Sequence, residues 1–229
     1  MKKEGNNPSL IKKIVSRWFV MSILTGRYSS SPESIIDRDV KDIEKSGVEA
    51  VLKQIEESNL SEQFWSVALV NEFDKASLQH PFINTFFAAQ VFFGDKGFLS
   101  DVTLRSIRDI KGDIHHTFPY DYLKRNGKSD RVEYNQIANF VYIEKSTNIQ
   151  IGNKNPSEYM AIVIEQAESG QLSSNPIGKI TDLKLLEENL RQNCIPEGFE
   201  KMVVDDYQAY LLTRRNLMVS KIEKYYKSL

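Results

Sequence analysis

Apolar positions along this chain fall into helical stripes at both ends and lose that period in the middle. Asn7 and Pro8 have the form of an N-cap followed by proline at the first helical position. Behind them Leu10, Ile14, Trp18 and Met21 recur at helical spacing, with Ile11, Val15 and Phe19 widening the stripe. Ser31-Pro32-Glu33 opens a second helix, carried by Ile35, Ile36, Val40 and Ile43 and stopped at Gly47. Residues 48–58 and 60–73 predict two more amphipathic helices. After the break at His80-Pro81, residues 82–93 predict a largely buried one. Residues 1–110 therefore read as all-helical, with short connections.

From Lys111 the texture changes. Residues 111–119 are too short and too punctuated for a helix and suit a strand leading into a turn. A polar stretch, 124–131, contains the turn signal Asn126-Gly127. Phe140-Val141-Tyr142-Ile143 is aromatic and β-branched, as a short strand would be. Residues 144–155 read as another polar loop. Asn155-Pro156-Ser157-Glu158 then has the cap, proline and acidic third position of a helix start. A Ser/Asn/Pro/Gly loop spans 170–178. Helices follow over 183–191 and from Asp205, the latter with Tyr207, Tyr210, Leu211, Leu217, Met218, Ile222 and Tyr225 on its inner side. The predicted class is α+β: mostly helical, with a small β-containing insert between helical layers.

Composition narrows the function classes. The chain has 229 residues, 41% hydrophobic and 27% charged, which excludes disorder and suits one substantial core or two small ones. Its formal net charge of −1 excludes nucleic-acid recognition by bulk charge and leaves only local basic patches. A single cysteine, Cys194, excludes a disulfide framework and multi-cysteine zinc sites. The N-terminal segment is broken by Lys12, Lys13 and Arg17, unlike a signal peptide. No apolar run approaches the roughly 20 residues of a membrane span. A cytoplasmic, reducing location is expected, with no membrane partner and Cys194 as a buried or half-buried thiol.

The three histidines, His80, His115 and His116, draw attention to the middle segment, where two of them are adjacent. A metal-dependent phosphodiesterase needs a base of near-neutral pKa to deprotonate water, which histidine supplies. It also needs a cation to bridge a phosphate oxygen and the leaving oxygen, and a polar side chain to orient the base. Asn139 and Asn148 lie 23 and 32 residues beyond His116. Lys124, Arg125, Lys128 and Arg131 fall between the two predicted strands, where a phosphate backbone would lie, with Lys145 and Lys154 farther on.

His116-Thr117-Phe118-Pro119, Asn139 and Asn148 together resemble the His–Asn–Asn form of the HNH (ββα-metal, His-Me finger) nucleases. The nine-residue step between the asparagines is similar to that in the HNH domain of CRISPR effector nucleases. The longer composite resembles the C-terminal nuclease portion of GmrSD-type modification-dependent restriction enzymes. Its parts are Asp113-Ile-His-His-Thr-Phe-Pro119, Asn135-Gln-Ile-Ala-Asn139 and Asn148-Ile-Gln-Ile-Gly-Asn-Lys-Asn-Pro-Ser-Glu-Tyr159. Ser16-Arg17-Trp18-Phe19 with Leu24-Thr-Gly-Arg-Tyr28 resembles the helical region before that nuclease, and Arg214 to Tyr226 its closing helix. Arg214 and Arg215 themselves are expected at the surface.

The resemblance implies a ββα-metal nuclease core over 111–168, between a helical region (1–110) and C-terminal helices (169–229). It implies His116 as general base and His115 and Asn148 as ligands of a divalent cation, Mg²⁺ most simply, with Mn²⁺ or another transition metal also suited. Asn139 would tie the loop and help orient the base, and Asp113 would act from behind the ligands. The implied activity is DNA endonuclease in a bacterial restriction or anti-phage system. The DNA would be modified, and a nucleotide-dependent sensor would sit elsewhere, because this chain has no Gly-rich run before a Lys-Ser/Thr pair. The rival expectation is an inactive helical scaffold that binds nucleic acid or a partner subunit.

Overall fold

The computed structural model describes residues 7–75, 80–110 and 112–229. The expectations for the first six residues and for Lys111 lie outside the described residues. Helix α1 (Pro8–Leu24) begins where Asn7 accepts a hydrogen bond from the Ser9 N–H at 3.1 Å. Helices α2 (Pro32–Ser46) and α3 (Val48–Asn59) meet at Gly47, whose φ of 84° makes the corner that an L side chain would resist. A π-helical turn, Phe64–Ala68, leads into α4 (Leu69–Lys75). In α5 (Pro81–Phe93) the cap is His80, whose Nδ1 accepts from the Phe82 N–H at 3.3 Å.

The first 110 residues are not all helical. Between α5 and α6 (Leu104–Asp109) the chain forms a loop closed by a bridge between Lys96 and Thr103. Its Phe98 N–H donates to the Tyr142 carbonyl at 2.9 Å, which ties the loop to the sheet.

Strands β1 (Asp113–His116) and β2 (Phe140–Ile143) pair antiparallel, with Asp113 opposite Ile143 and His116 opposite Phe140. Gly112 admits the close approach: a Cβ there would lie 2.8 Å from the Ile143 carbonyl oxygen. Between the strands lie α7 (Tyr120–Arg125) and the single turn α8 (Arg131–Tyr134), with a 3₁₀ turn at Ile137–Asn139 before β2. The stretch read as a polar loop after β2 contains a helix, α9 (Lys145–Ile151). Thr147 and Ile151, one turn apart, are its buried positions, too few to mark a stripe in the sequence.

Helix α10 (Pro156–Ser169) has the predicted capping box between Asn155 and Glu158. Helices α11 (Leu183–Gln192) and α12 (Tyr207–Ser228) complete the chain. The architecture is α+β: mostly helical, with one two-stranded antiparallel sheet among the described residues. A continuous apolar core joins α1, α3, α4, α5, β2, α10 and α12, and includes Cys194. Among the described residues no helix is long and apolar enough to cross a membrane.

Two expectations for α12 are corrected. Leu217 faces solvent rather than the core. Arg214 and Arg215 are buried instead of at the surface. Arg214 donates to the carbonyls of Ala138 (2.6 Å), Phe140 (2.9 Å) and Asn193 (3.1 Å). Carbonyls at the start of β2 that no strand partner uses draw the guanidinium inward.

Candidate functional site

Alternation along β1 puts Asp113 and His115 on one side of the strand and Ile114 and His116 on the other. Helix α9 packs on β1 and brings Asn148 to the first side, where its Nδ2 donates to Asp113 Oδ2 at 3.2 Å. His115 is only 6% exposed, and its Nε2 has no hydrogen-bond partner among the described residues. Burial pushes its pKa down to about 4. The neighbouring Asn148 amide and Asp113 carboxylate pull it upward, and His116 opposes protonation further. The ring is therefore neutral near pH 7, with one nitrogen lone pair available as a ligand.

Asp113 sits behind Asn148 and accepts a hydrogen bond from its amide, the kind of contact expected of it. Carboxylate oxygen, amide oxygen and neutral imidazole nitrogen together make a donor set suited to Mg²⁺ or Mn²⁺. The unpartnered His115 nitrogen is the observation that favours such a fit, because a buried polar atom without a partner is costly. Among the described residues, no three His, Cys, Asp or Glu side chains cluster. The set here depends on Asn148 as its third member.

His116 occupies the opposite side of β1. Its Nε2 pairs with Asn135 Oδ1 at 3.0 Å, and its ring lies 4.6 Å from the Phe140 ring and 6.2 Å from the Tyr134 ring, centroid to centroid. Burial lowers its pKa, and the hydrogen bond to Asn135 pulls it back up.

The four hydrogen bonds of the Asn139 side chain go to Thr117, Phe118 and Tyr134 rather than to His116. The residue is wholly buried, and its side chain uses its full bonding capacity. Oδ1 accepts from Thr117 Oγ1 and from the Phe118 N–H, both at 2.9 Å. Nδ2 donates to the Phe118 carbonyl at 3.1 Å and the Tyr134 carbonyl at 3.2 Å. Tyr210 and Tyr159 secure the same turn through the Thr117 hydroxyl (2.6 Å) and carbonyl (2.9 Å). The expected residues thus form three groups: Asp113 with His115 and Asn148, His116 with Asn135, and Asn139 as the tie between the two chain segments that carry the base and its partner.

The basic residues divide as well. Lys124, Arg125, Arg131 and Lys145 are exposed, and Lys128 and Lys154 are half-buried. Arg125 donates to the Asn153 carbonyl at 3.3 Å, and Lys154 donates to the carbonyls of Gln150 (3.0 Å) and Ile151 (3.4 Å). Those two cations satisfy the C-terminal end of α9, which alone accounts for their presence. Lys124 lies over the Tyr120 ring at 5.6 Å. Asn135 is the residue to which sequence reasoning gave no role. Its signal was its place at the head of the segment ending in Asn139.

No family model matches this chain, and no solved structure matches it. An uncharacterised protein of Methanocaldococcus jannaschii is 25% identical over 207 residues, covering 82% of this chain and 34% of the relative. The chain thus spans about a third of the length of the curated relative it matches.

Proposed function

We propose that this chain is a divalent-metal-dependent endonuclease of the HNH, ββα-metal type, which hydrolyses DNA phosphodiester bonds. The observation that carries the reading is the buried, unpartnered Nε2 of His115 beside Asp113 and Asn148. The strand, strand, helix order of β1, β2 and α9 agrees with it. The resemblance of the Asp113–Pro119, Asn135–Asn139 and Asn148–Tyr159 segments supplies the reaction class. The biological setting we assign is restriction or anti-phage defence, on modified DNA, together with a nucleotide-dependent sensor carried on other residues or another chain.

In this reading Asp113, His115 and Asn148 hold the cation. When bound, it would supply positive charge to a phosphate oxygen and the leaving oxygen. His116 takes the proton from the attacking water. Its lowered pKa keeps it neutral, and so able to accept, near pH 7. Asn139 holds the turn after β1 and, through the Tyr134 carbonyl, the residue before Asn135. Lys124, Lys128, Arg131 and Lys145 are the cations proposed to meet the DNA backbone. Arg125 and Lys154 would do so only by leaving the carbonyls they now bind.

Two observations favour an inactive scaffold instead: His115 is closed to solvent, as a purely structural histidine would be, and His116 projects from the side of β1 opposite the Asp113, His115 and Asn148 group. Relaxation of supercoiled plasmid with Mg²⁺ or Mn²⁺ separates the readings. The native chain should nick, and His116→Ala should lose roughly 10²- to 10⁴-fold in rate while binding Mn²⁺ as before. If neither cuts while the cation binds normally, the enzyme reading fails for this chain. Equal cutting by both would remove His116 from the mechanism.

A further inference from the structure

We infer that Asn135 is the positioning residue for His116: it holds the imidazole in the tautomer that carries its proton on Nε2 and leaves Nδ1 as the acceptor. The catalytic consequence rests on the nuclease reading above, whereas the tautomer itself does not.

An amide oxygen only accepts hydrogen bonds, so the 3.0 Å contact between Asn135 Oδ1 and His116 Nε2 requires the proton on Nε2. A neutral imidazole has one such proton, which leaves Nδ1 with its lone pair. Were the amide turned over, Nδ2 would donate to Nε2 and the proton would sit on Nδ1, where it would block uptake from water. The orientation of one amide therefore decides which ring nitrogen can act as base.

The surroundings fix the backbone that carries that amide. Asn135 follows α8, and its N–H donates back to the Arg131 carbonyl at 3.1 Å. The start of α8 is closed by the capping box between Asp130 and Glu133. Tyr207 Oη donates to the Glu133 carbonyl at 3.0 Å, and Asn139 Nδ2 to the Tyr134 carbonyl. On the far side, Arg215 Nη2 donates to Gln136 Oε1 at 3.1 Å. The residues before and after Asn135 are each bonded to a buried group of another segment. The His116 ring is meanwhile backed by Phe140. The ring and the backbone of Asn135 are thus placed independently, and the amide meets the ring at one contact.

Imidazole ¹H–¹⁵N spectra of the full chain at about pH 8, where an ordinary histidine is neutral, read the tautomer directly. The His116→Ala spectrum assigns the signal. The native chain should carry its proton on Nε2, as should Asn135→Asp, since a carboxylate can only accept. Asn135→Ala should show mixed tautomers and lower kcat for plasmid nicking by roughly 10- to 100-fold, with KM within about twofold. Asn135→Asp should recover most of that rate, and unchanged His80 signals would show the folds intact. A proton on Nδ1 in the native chain overturns the inference, as does Asn135→Ala with native tautomer and rate. If Asn135→Ala does not fold, the comparison of native and Asn135→Asp spectra decides: a match supports the inference and a mismatch overturns it. A native chain that has the Nε2 proton and cuts no DNA would sink the nuclease reading while supporting the role of Asn135.

Discussion

The hairpin region and the N-terminal layer of α1 to α3 break opposite rules of burial. Around the hairpin, polar side chains go inside: Asn139, Thr117, His115 and Arg214 are all buried, and Asn139 is fully bonded. In the layer, apolar side chains stay outside: Phe19 is 64% exposed, Val15 58%, and Ile36 and Val40 49% each. A groove of about 530 Å³ runs along α1, lined by Ile14, Val15, Trp18 and Phe19 with Tyr28 and Pro81. Buried polar groups demand specific partners, so the hairpin is determined atom by atom. Exposed apolar groups demand little, so the outer face of α1 contributes little to the fold it belongs to.

That contrast can be broken at its strong end first. While the Thr117 hydroxyl keeps Tyr210 as its partner, Asn139→Ala strands the Phe118 N–H and carbonyl and the Tyr134 carbonyl. It should destabilise the chain by roughly 3 kcal/mol or more in urea unfolding. A loss below about 1 kcal/mol would mean that the buried network does not hold the hairpin.

The layer has polar joints of its own, and the buried one should give a smaller effect. Arg27 clasps the buried Asp39 through two hydrogen bonds, one of them at 2.7 Å. Tyr28 Oη donates to the same carboxylate at 2.8 Å and accepts from Trp18 Nε1 at 3.0 Å. Burial alone would raise the Asp39 pKa, but Arg27 and Tyr28 outweigh it and hold the carboxyl below its ordinary value. Asp39→Asn should cost about 2 kcal/mol at neutral pH. A depressed folded-state pKa contributes stability that is full above the unfolded value, about 3.9, and is lost as pH falls through the folded one. The gap between native and Asp39→Asn should therefore narrow below about pH 4 in thermal melts. A gap constant with pH would detach the effect from this carboxylate.

Phe19→Ser marks the weak end. On an uncommitted surface it should change stability by no more than about 0.5 kcal/mol. A larger loss, seen in the same urea titration, would show that this face is used within the fold.

The same contrast explains what could be read from the sequence. Caps were legible because they are local: Asn7-Pro8 and Asn155 to Glu158 each announce a helix within four residues. His80-Pro81 read only as a break, although His80 caps α5. Both strands were legible from composition. Helix α9 was not, because its burial rests on Thr147 and Ile151 alone and its other contacts are polar. His115 and Asn148 could be named together, with Asp113 behind them, only through the resemblance to HNH nucleases. Asn135 could not, because its meaning lies in a 3.0 Å contact across 19 residues of chain. The inward turn of Arg214 was equally invisible: a cation on a helix reads as surface until the carbonyls it reaches are known.

That buried arginine also sets what the hairpin can be separated from. Its partners are backbone oxygens of Ala138, Phe140 and Asn193 rather than carboxylates, so acid that discharges Asp39 leaves them untouched. Helix α12 is thus the floor on which β2 rests, although they are far apart in sequence. Any shortening, grafting or recombination of the hairpin that leaves this helix behind strips two carbonyls at the start of the strand of their donor.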